Sequence, residues 1–419
     1  MNTSDRHRAP GRARRAYGLA AILAVVSGLS ACDSASTHWQ TPLTPVGPSI
    51  SVAPPTGASP TTSLSAADAC VATTMAKMTV AQMAGQVMLV GTELTSSQTA
   101  IDKVIREYDI GGVFLNGHNS YSASKLRSMI ASMQSTASSA KDLRLFIALD
   151  QEGGEVQELK GTDFPPIPTA LAQGKLSTSA LSAQTKVWAK RLWSIGVTLD
   201  LAPVSDTVPA SLGTKNPPIG AFHRQYGSDP TKVATDITTV VKAVQSTGVT
   251  TTLKHFPGLG RVLANTDFSN KAVDKVTTAH DTYLQPFIAG IKAGTRAVMI
   301  SSASYPSLDS HSIATWSQPI VTGLLRNQLG FTGMIVSDSL AGAAAISAVS
   351  VGQRGVRFIE AGGDLVLTTA ASKAPAMVKG LIAEAHDSAT FTAKLKAAAT
   401  YVVRSKYTSG LLTCSPPQV

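Results

Sequence analysis

The sequence predicts an α/β fold, a single (β/α)8 barrel of the TIM type. Three observations predict it. Short apolar runs bounded by glycine or polar residues recur eight times between residues 85 and 369. Stretches with helical signatures lie between them. Titratable residues collect where the runs end, which is where a barrel keeps its active site. An open doubly wound sheet shares the first two features. No Gly-x-Gly-x-x-Gly follows the first run, which speaks against a dinucleotide-binding sheet.

The runs are GQVMLVG (85–91), GGVFLNG (111–117), RLFIALD (144–150), GVTLDLAPV (196–204), TTTLKHF (250–256), AVMISSA (297–303), GMIVSDS (333–339) and GDLVLTT (363–369). Continuous, β-branched-rich runs are expected of parallel strands covered on both faces. The clearest helix spans 229–248. Asp229 suits the N-cap and Pro230 the first turn. Val233, Ile237, Val240, Val241 and Val244 form one apolar stripe. Gly248 suits the stop. A second helix follows the last run in KAPAMVKGLIAEAH.

Outside the barrel the chain reads as an address and a spacer. Residues 1–31 carry five arginines against one aspartate, then YGLAAILAVVSGLS. A basic start, a short apolar run and small residues predict a secretory signal, too short to span a membrane stably. Leu29-Ser30-Ala31-Cys32 resembles a bacterial lipobox. That resemblance implies cleavage before Cys32, lipidation of Cys32 and a membrane anchor. An ordinary signal with an incidental cysteine is the alternative. Residues 32–66 are rich in Pro, Ser and Thr and predict a tether. The barrel domain is expected over 67–419. Cys70 and Cys414 stand at its two ends, and an exported protein lives where disulfides persist, so a bridge between them is expected. Two free thiols are the other possibility.

Charge and motifs exclude several classes. The chain carries 36 Lys and Arg against 26 Asp and Glu, a net charge of +10, of which +4 falls in residues 1–31. The rest is spread without a basic run, so no nucleic-acid partner is expected. There is no Walker loop, no His-Glu-x-x-His and no Cys/His cluster at metal spacing. No metal and no cofactor are therefore expected.

The strand ends carry the chemistry. The third run ends in ALDQEGGE with Asp150, and the fourth leads into APVSDT with Asp206. The fifth ends in Lys254, His255 and a Phe-Pro-Gly turn, and the seventh reads VSDSL with Asp338. Arg224 lies in AFHRQYG between the fourth and fifth runs. Three carboxylates, two cations and a histidine, without a serine nucleophile elbow, suit sugar chemistry. One carboxylate attacks or shields the anomeric carbon, another group protonates the leaving oxygen, and the cations hold hydroxyls. Competing roles for each residue are structural: Asp338 as a helix N-cap for SLAGAAAISAV, Lys254 and His255 as a barrel brace, Arg224 as a surface cation. Asp206 is expected to orient Arg224 or Lys254, with a direct role in the site as the alternative.

DQEGG, APVSD, HRQYG, KHFPG and VSDSL, in this order, resemble glycoside hydrolase family 3, in its single-domain NagZ-type β-N-acetylglucosaminidase form. The resemblance covers most of residues 70–410. It implies a retaining double displacement with Asp338 as nucleophile, and substrate contacts at Asp150, Arg224, Lys254 and His255. Two departures stand out. In KHFPGLGRVLANTD (254–267), Leu259 replaces a loop histidine, and Asn265-Thr266-Asp267 fills the slot of the Asp-Ser-His that carries the usual acid/base. Asp267 is therefore the candidate acid/base, with Asn265 able to hydrogen-bond it. Asp267 closing the loop, while His255 or another residue moves the proton, is the competing view. In DQEGGEVQEL, Glu155 and Glu158 stand where the family has arginines, and Lys160 lies nearby to compensate.

The function expected is a lipid-anchored exo-β-N-acetylglucosaminidase, acting on GlcNAc-containing peptidoglycan fragments outside the membrane, as a monomer. The alternatives are a non-catalytic muropeptide-binding lipoprotein, and a β-glucosidase or phosphorylase of the same family.

Overall fold

The computed structural model describes residues 65–137 and 143–414. The expected leader, Cys32 and nearly all of the expected tether lie outside the described residues.

Eight parallel strands form a closed ring: β1 Met88–Glu93, β2 Gly112–Asn116, β3 Phe146–Leu149, β4 Leu199–Asp200, β5 Thr250–Phe256, β6 Ala297–Ile300, β7 Met334–Ser337 and β8 Val366–Thr368. Each pairs with the next, and β8 pairs with β1. The junction of β7 and β8 closes through a bridge between Val336 and Leu365 and a bond from Ser337 N to Leu365 O at 3.0 Å. All eight runs predicted from the sequence are strands here. Ring closure leaves the eight-stranded sheet without a free edge among the described residues, and a fully buried parallel sheet explains why the runs are apolar throughout.

The helices are α1 Ala66–Ala76, α2 Val80–Gln86, α3 Thr99–Tyr108, α4 Ala123–Thr136, α5 Thr178–Ser194, α6 Pro230–Gln245, α7 Gln285–Lys292, α8 Pro319–Gln328, α9 Val351–Glu360, α10 Ala374–Asp387 and α11 Ala389–Thr408. α6 shows how the sequence builds them. Asp229 accepts from Thr231 N at 2.9 Å, Pro230 opens the first turn, and Val233, Ile237, Val240, Val241 and Val244 are buried. Gly248 takes φ of +101° just beyond the end, a conformation that costs glycine little.

Packing against the helices decides which way each strand side chain points. Leu253 of β5 lies against Gly290 of α7, where a Cβ would meet Leu253 Cδ1 at 2.5 Å. Its neighbour Lys254 takes the other face and lines a cavity at the mouth of the barrel. At the ends of the domain Cys70 and Cys414 are bridged, with their Cα atoms 5.8 Å apart. α1 is thereby stapled to the chain beyond α11.

Candidate active site

A cavity of about 530 Å³ opens at the C-terminal ends of the strands. Asp150, Arg224, Lys254, His255, Asp267 and Asp338 all line it. Six residues spread over 189 positions of sequence thus converge on one pocket.

Its floor is an ion-pair network. Lys254 is buried, and its Nζ sits 2.5 Å from Asp150 Oδ1 and 2.6 Å from Glu152 Oε1. Glu152 also receives Arg224 through Nε at 2.8 Å and Nη2 at 2.7 Å, a two-pronged contact. Arg224 Nη1 donates to Pro218 O at 2.9 Å. Two cations thus meet two carboxylates, which is the condition for burying charge at tolerable cost. Burial alone would raise the Glu152 carboxyl, but Arg224 and Lys254 outweigh it and hold it at about 2. Burial likewise opposes the Lys254 charge, and Asp150 and Glu152 reverse it, so Lys254 stays above its ordinary value. Both remain ionised at any physiological pH.

Glu152 was not singled out from the sequence. The signal was present in its place two residues after Asp150 inside DQEGG; the structure adds that its side chain is as buried as that of Lys254. It is the counter-ion that fixes both cations.

Asp206 turns out to orient His255 rather than Arg224 or Lys254. It is fully buried, and its Oδ2 lies 2.7 Å from His255 Nδ1. The same carboxylate accepts the backbone N–H of His255 at 3.1 Å and of Leu259 at 2.8 Å. One side chain therefore aims the imidazole and pins the turn that follows it. Nδ1 carries the hydrogen given to Asp206, which leaves Nε2 as the nitrogen available to a substrate. The Lys254–His255, Phe256–Pro257 and Ala202–Pro203 peptides are all cis.

Asp338 follows β7. Its backbone N–H donates to Ile300 O at 3.0 Å, and its Oδ1 accepts from Ser339 N at 2.7 Å. The alternative role as a helix cap does not hold, because the next elements are a short 3₁₀ turn at Ala344–Ile346 and then α9 from Val351. The carboxylate belongs to the cavity instead.

Asp267 reaches the cavity on the long segment between β5 and α7. Two backbone bonds fix this stretch to the chain beyond Asp338: Ala344 N to Asp267 O at 3.1 Å, and Ala345 N to Thr266 O at 3.2 Å. Asn265 binds Asp267 through its backbone, accepting the Asp267 N–H at 2.9 Å, so it shapes the turn rather than touching the carboxyl. That carboxyl is held above the ordinary aspartate value, first by the protein packed around it and then by the negative charge of Asp338. His255 and Arg224 pull the other way more weakly.

Glu158 lies behind Asp150, with its N–H donating to Asp150 O at 3.2 Å. Its Oε2 is buried without a hydrogen-bond partner among the described residues and stands 3.7 Å from His118 Nδ1. Burial and the neighbouring Asp150 charge push its carboxyl up to about 7, against the pull of Lys160 and Lys254. Lys160 is exposed and is not among the residues lining the cavity. Glu155 is exposed. No group of three His, Cys, Asp or Glu side chains among the described residues is placed to hold a metal ion.

The comparisons with known proteins agree with this geometry. The family model "Glycosyl hydrolase family 3 N terminal domain" matches residues 74–405. A β-hexosaminidase of Xanthomonas oryzae pv. oryzae is 34% identical over 284 residues, covering 66% of this chain and 80% of that one. A crystal structure of a β-N-acetylhexosaminidase from Beutenbergia cavernae superposes with a TM-score of 0.76 at 38% identity, over 79% of this chain and 99% of that one. A family 3 β-N-acetylglucosaminidase from Paenibacillus superposes at 0.72 with 25% identity, over 82% of this chain and 65% of that one. A barrel with carboxylates at its mouth, matched along nearly its whole length, belongs to glycosyl hydrolase family 3, and by likeness to these relatives it is a glycoside hydrolase of the β-N-acetylhexosaminidase type.

Proposed function

We propose that this enzyme is a retaining, exo-acting β-N-acetylglucosaminidase, which removes terminal β-linked GlcNAc from peptidoglycan fragments through a covalent intermediate on Asp338. The observation that carries the reading is the pairing of two carboxyls in one cavity with opposite needs: Asp338, and Asp267 raised in part by the charge of Asp338. The sugar hydroxyls fall to Asp150, Lys254, Arg224 and His255.

In the first step Asp338 bonds to the anomeric carbon, the glycosidic C–O bond breaks, and the Asp267 carboxylic acid gives its proton to the departing oxygen. Esterification then removes the negative charge on Asp338. One of the causes that raise Asp267 disappears with it, so after giving up its proton Asp267 stays ionised, the form that the second step needs. There Asp267 takes a proton from water, the water oxygen bonds to the anomeric carbon, and Asp338 leaves as a carboxylate.

Residues 1–32 support a setting for this activity. The basic start, the apolar run and the lipobox-like LSAC suit export and anchoring through lipid on Cys32 at the outer face of the cell membrane, where wall fragments occur. The enzyme would act there as a monomer.

A 5-fluoro GlcNAc glycoside, which keeps the 2-acetamido group, tests the mechanism. Mass spectrometry of the digested protein is expected to find the sugar on the peptide containing Asp338, and Asp338→Asn is expected to lower turnover by about 10³-fold or more. A label on another residue, or an Asp338→Asn enzyme with ordinary activity, would refute the mechanism. Turnover of nitrophenyl glucose in preference to nitrophenyl GlcNAc, or a rate that requires phosphate, would move the substrate assignment to a β-glucosidase or a phosphorylase.

A further inference from the structure

The segment that carries Asp267 runs from Pro257 to Asp281 without regular helix or strand. Loops of this length inside a compact domain need a reason to hold their shape. Here the two limbs are tied to each other by one side chain. Arg261, on the limb that leads to Asp267, reaches across to the returning limb. Its Nη2 lies 2.6 Å from Asp281 Oδ2 and 2.6 Å from Thr277 Oγ1, and its Nε lies 3.4 Å from Asp274 Oδ2. Its guanidinium also sits 4.2 Å over the ring of Tyr283.

The acceptors are themselves held. Asp274 is buried, and its Oδ1 receives the N–H groups of Val276 and Thr277 at 2.8 and 3.0 Å, while Thr277 Oγ1 donates to Oδ2 at 2.6 Å. Asp281 Oδ1 receives Tyr283 N at 2.9 Å at the entry to α7. The returning limb is further fixed by backbone bonds from Asp274 N to Ser304 O and from Ser304 N to Ala272 O, both 2.9 Å. It is a firm post, and Arg261 moors the Asp267 limb to it. Without the arginine, Asp274 and Asp281 of the returning limb lose the cation they share, and with it goes the contact that joins the outgoing limb to that post.

We propose that Arg261 is a positioning residue for the acid/base step: it holds the Asp267 limb against the returning limb, so that the carboxyl stays at the cavity. Arg261 is not among the residues lining that cavity. It acts through Asp267, and the inference rests on the reading of Asp267 as acid/base.

Leaving-group dependence tests it. An acid is needed to expel an alkoxide and is little needed to expel a dinitrophenolate. Arg261→Ala is expected to lose about 10²-fold in kcat/KM on an alkyl GlcNAc glycoside, within the usual range for general acid catalysis, and to change only a few-fold on the dinitrophenyl glycoside. Arg261→Lys, which keeps the charge but not the forked contact, is expected to fall between the two. It also serves if the alanine variant does not fold. Asp267→Ala is measured beside them, with azide added as a nucleophile that needs no base to attack the anomeric carbon. Equal losses on both glycosides in Arg261→Lys and Arg261→Ala mean general structural damage and overturn the inference. Unchanged rates overturn it as well. If Asp267→Ala shows the leaving-group split and the Arg261 variants do not, Arg261 alone is misassigned. If Asp267→Ala shows no split, the acid/base reading fails and takes the inference with it.

Discussion

Two lysines are buried at opposite ends of this barrel, and they are in opposite electrostatic states. Lys254 ends β5 at the mouth, between Asp150 and Glu152, which hold its charge in place. Lys406 of α11 lies at the other end, near Gln86, which precedes β1, and Phe146, which opens β3. Its Nζ donates to Gln86 Oε1 at 2.6 Å and lies 5.8 Å from the Phe146 ring. Among the described residues it forms no ion pair, and burial lowers it to about 7. Burial alone thus discharges an amine, and two placed carboxylates reverse the outcome. A fixed cation at the mouth of the barrel is therefore a property of the Asp150–Glu152 pair as much as of the lysine.

Removing the cation at the mouth is the strongest way to break this contrast. Lys254→Met takes the paired cation from Asp150 and leaves the buried Glu152 with Arg224 alone. It is expected to lower kcat/KM by about 10³-fold or more and to cost roughly 3–5 kcal/mol in urea unfolding. Loss of activity with full stability would mean that the network is not what holds these charges.

Lys406 gives the smaller and pH-dependent half of the comparison. Its amine titrates near 10.4 in the unfolded chain and near 7 in the folded one. Between those values the unfolded state binds more protons, so stability rises with pH there and falls as pH drops toward 7. The contribution is about 1.4 kcal/mol per pH unit at most. Unfolding free energies at pH 7 to 9 are expected to climb more steeply in the wild type than in Lys406→Met. Parallel curves would mean that Lys406 is not discharged by its surroundings.

Glu158 gives the mildest sharpening. Raised to about 7, it gains charge above neutrality beside Asp150 and competes for Lys254. KM is therefore expected to rise a few-fold between pH 6 and 8, a modest share of the tenfold worth of one pKa unit. Glu158→Gln is expected to flatten that rise, and steady-state kinetics across this range would show it.

The strands were legible because a parallel barrel buries both faces and writes each strand as an apolar run. The α6 boundaries were legible because Asp229 and Pro230 are local signals. Asp150, Arg224, Lys254, His255, Asp267 and Asp338 could be named because they sit at run ends or in short motifs. What the sequence hid was partnership. Glu152 reads as part of a motif until Lys254 and Arg224 are seen on either side of it. Arg261 is bound to residues 13 to 20 positions downstream, in a segment with no periodic signal. Asp206 looked like a helper of Arg224 or Lys254 because nothing in the sequence says that it faces His255 instead.

The turn after β5 is gripped by its main chain. Asp206 takes the amide of Leu259, and Asn216 Nδ2 gives hydrogen bonds to the carbonyls of Leu259 and Val262 at 2.9 and 2.8 Å. A Cβ at Gly260 would come within 1.8 Å of Thr207 O, so the backbone passes flush against its neighbour there. None of these contacts asks for a particular side chain at 259 or 267. The path of the loop is thus specified separately from the groups it presents. A scaffold of that kind accepts a different group at such a position by point substitution, without redesign of the strand, the turn or the ion-pair floor beneath them.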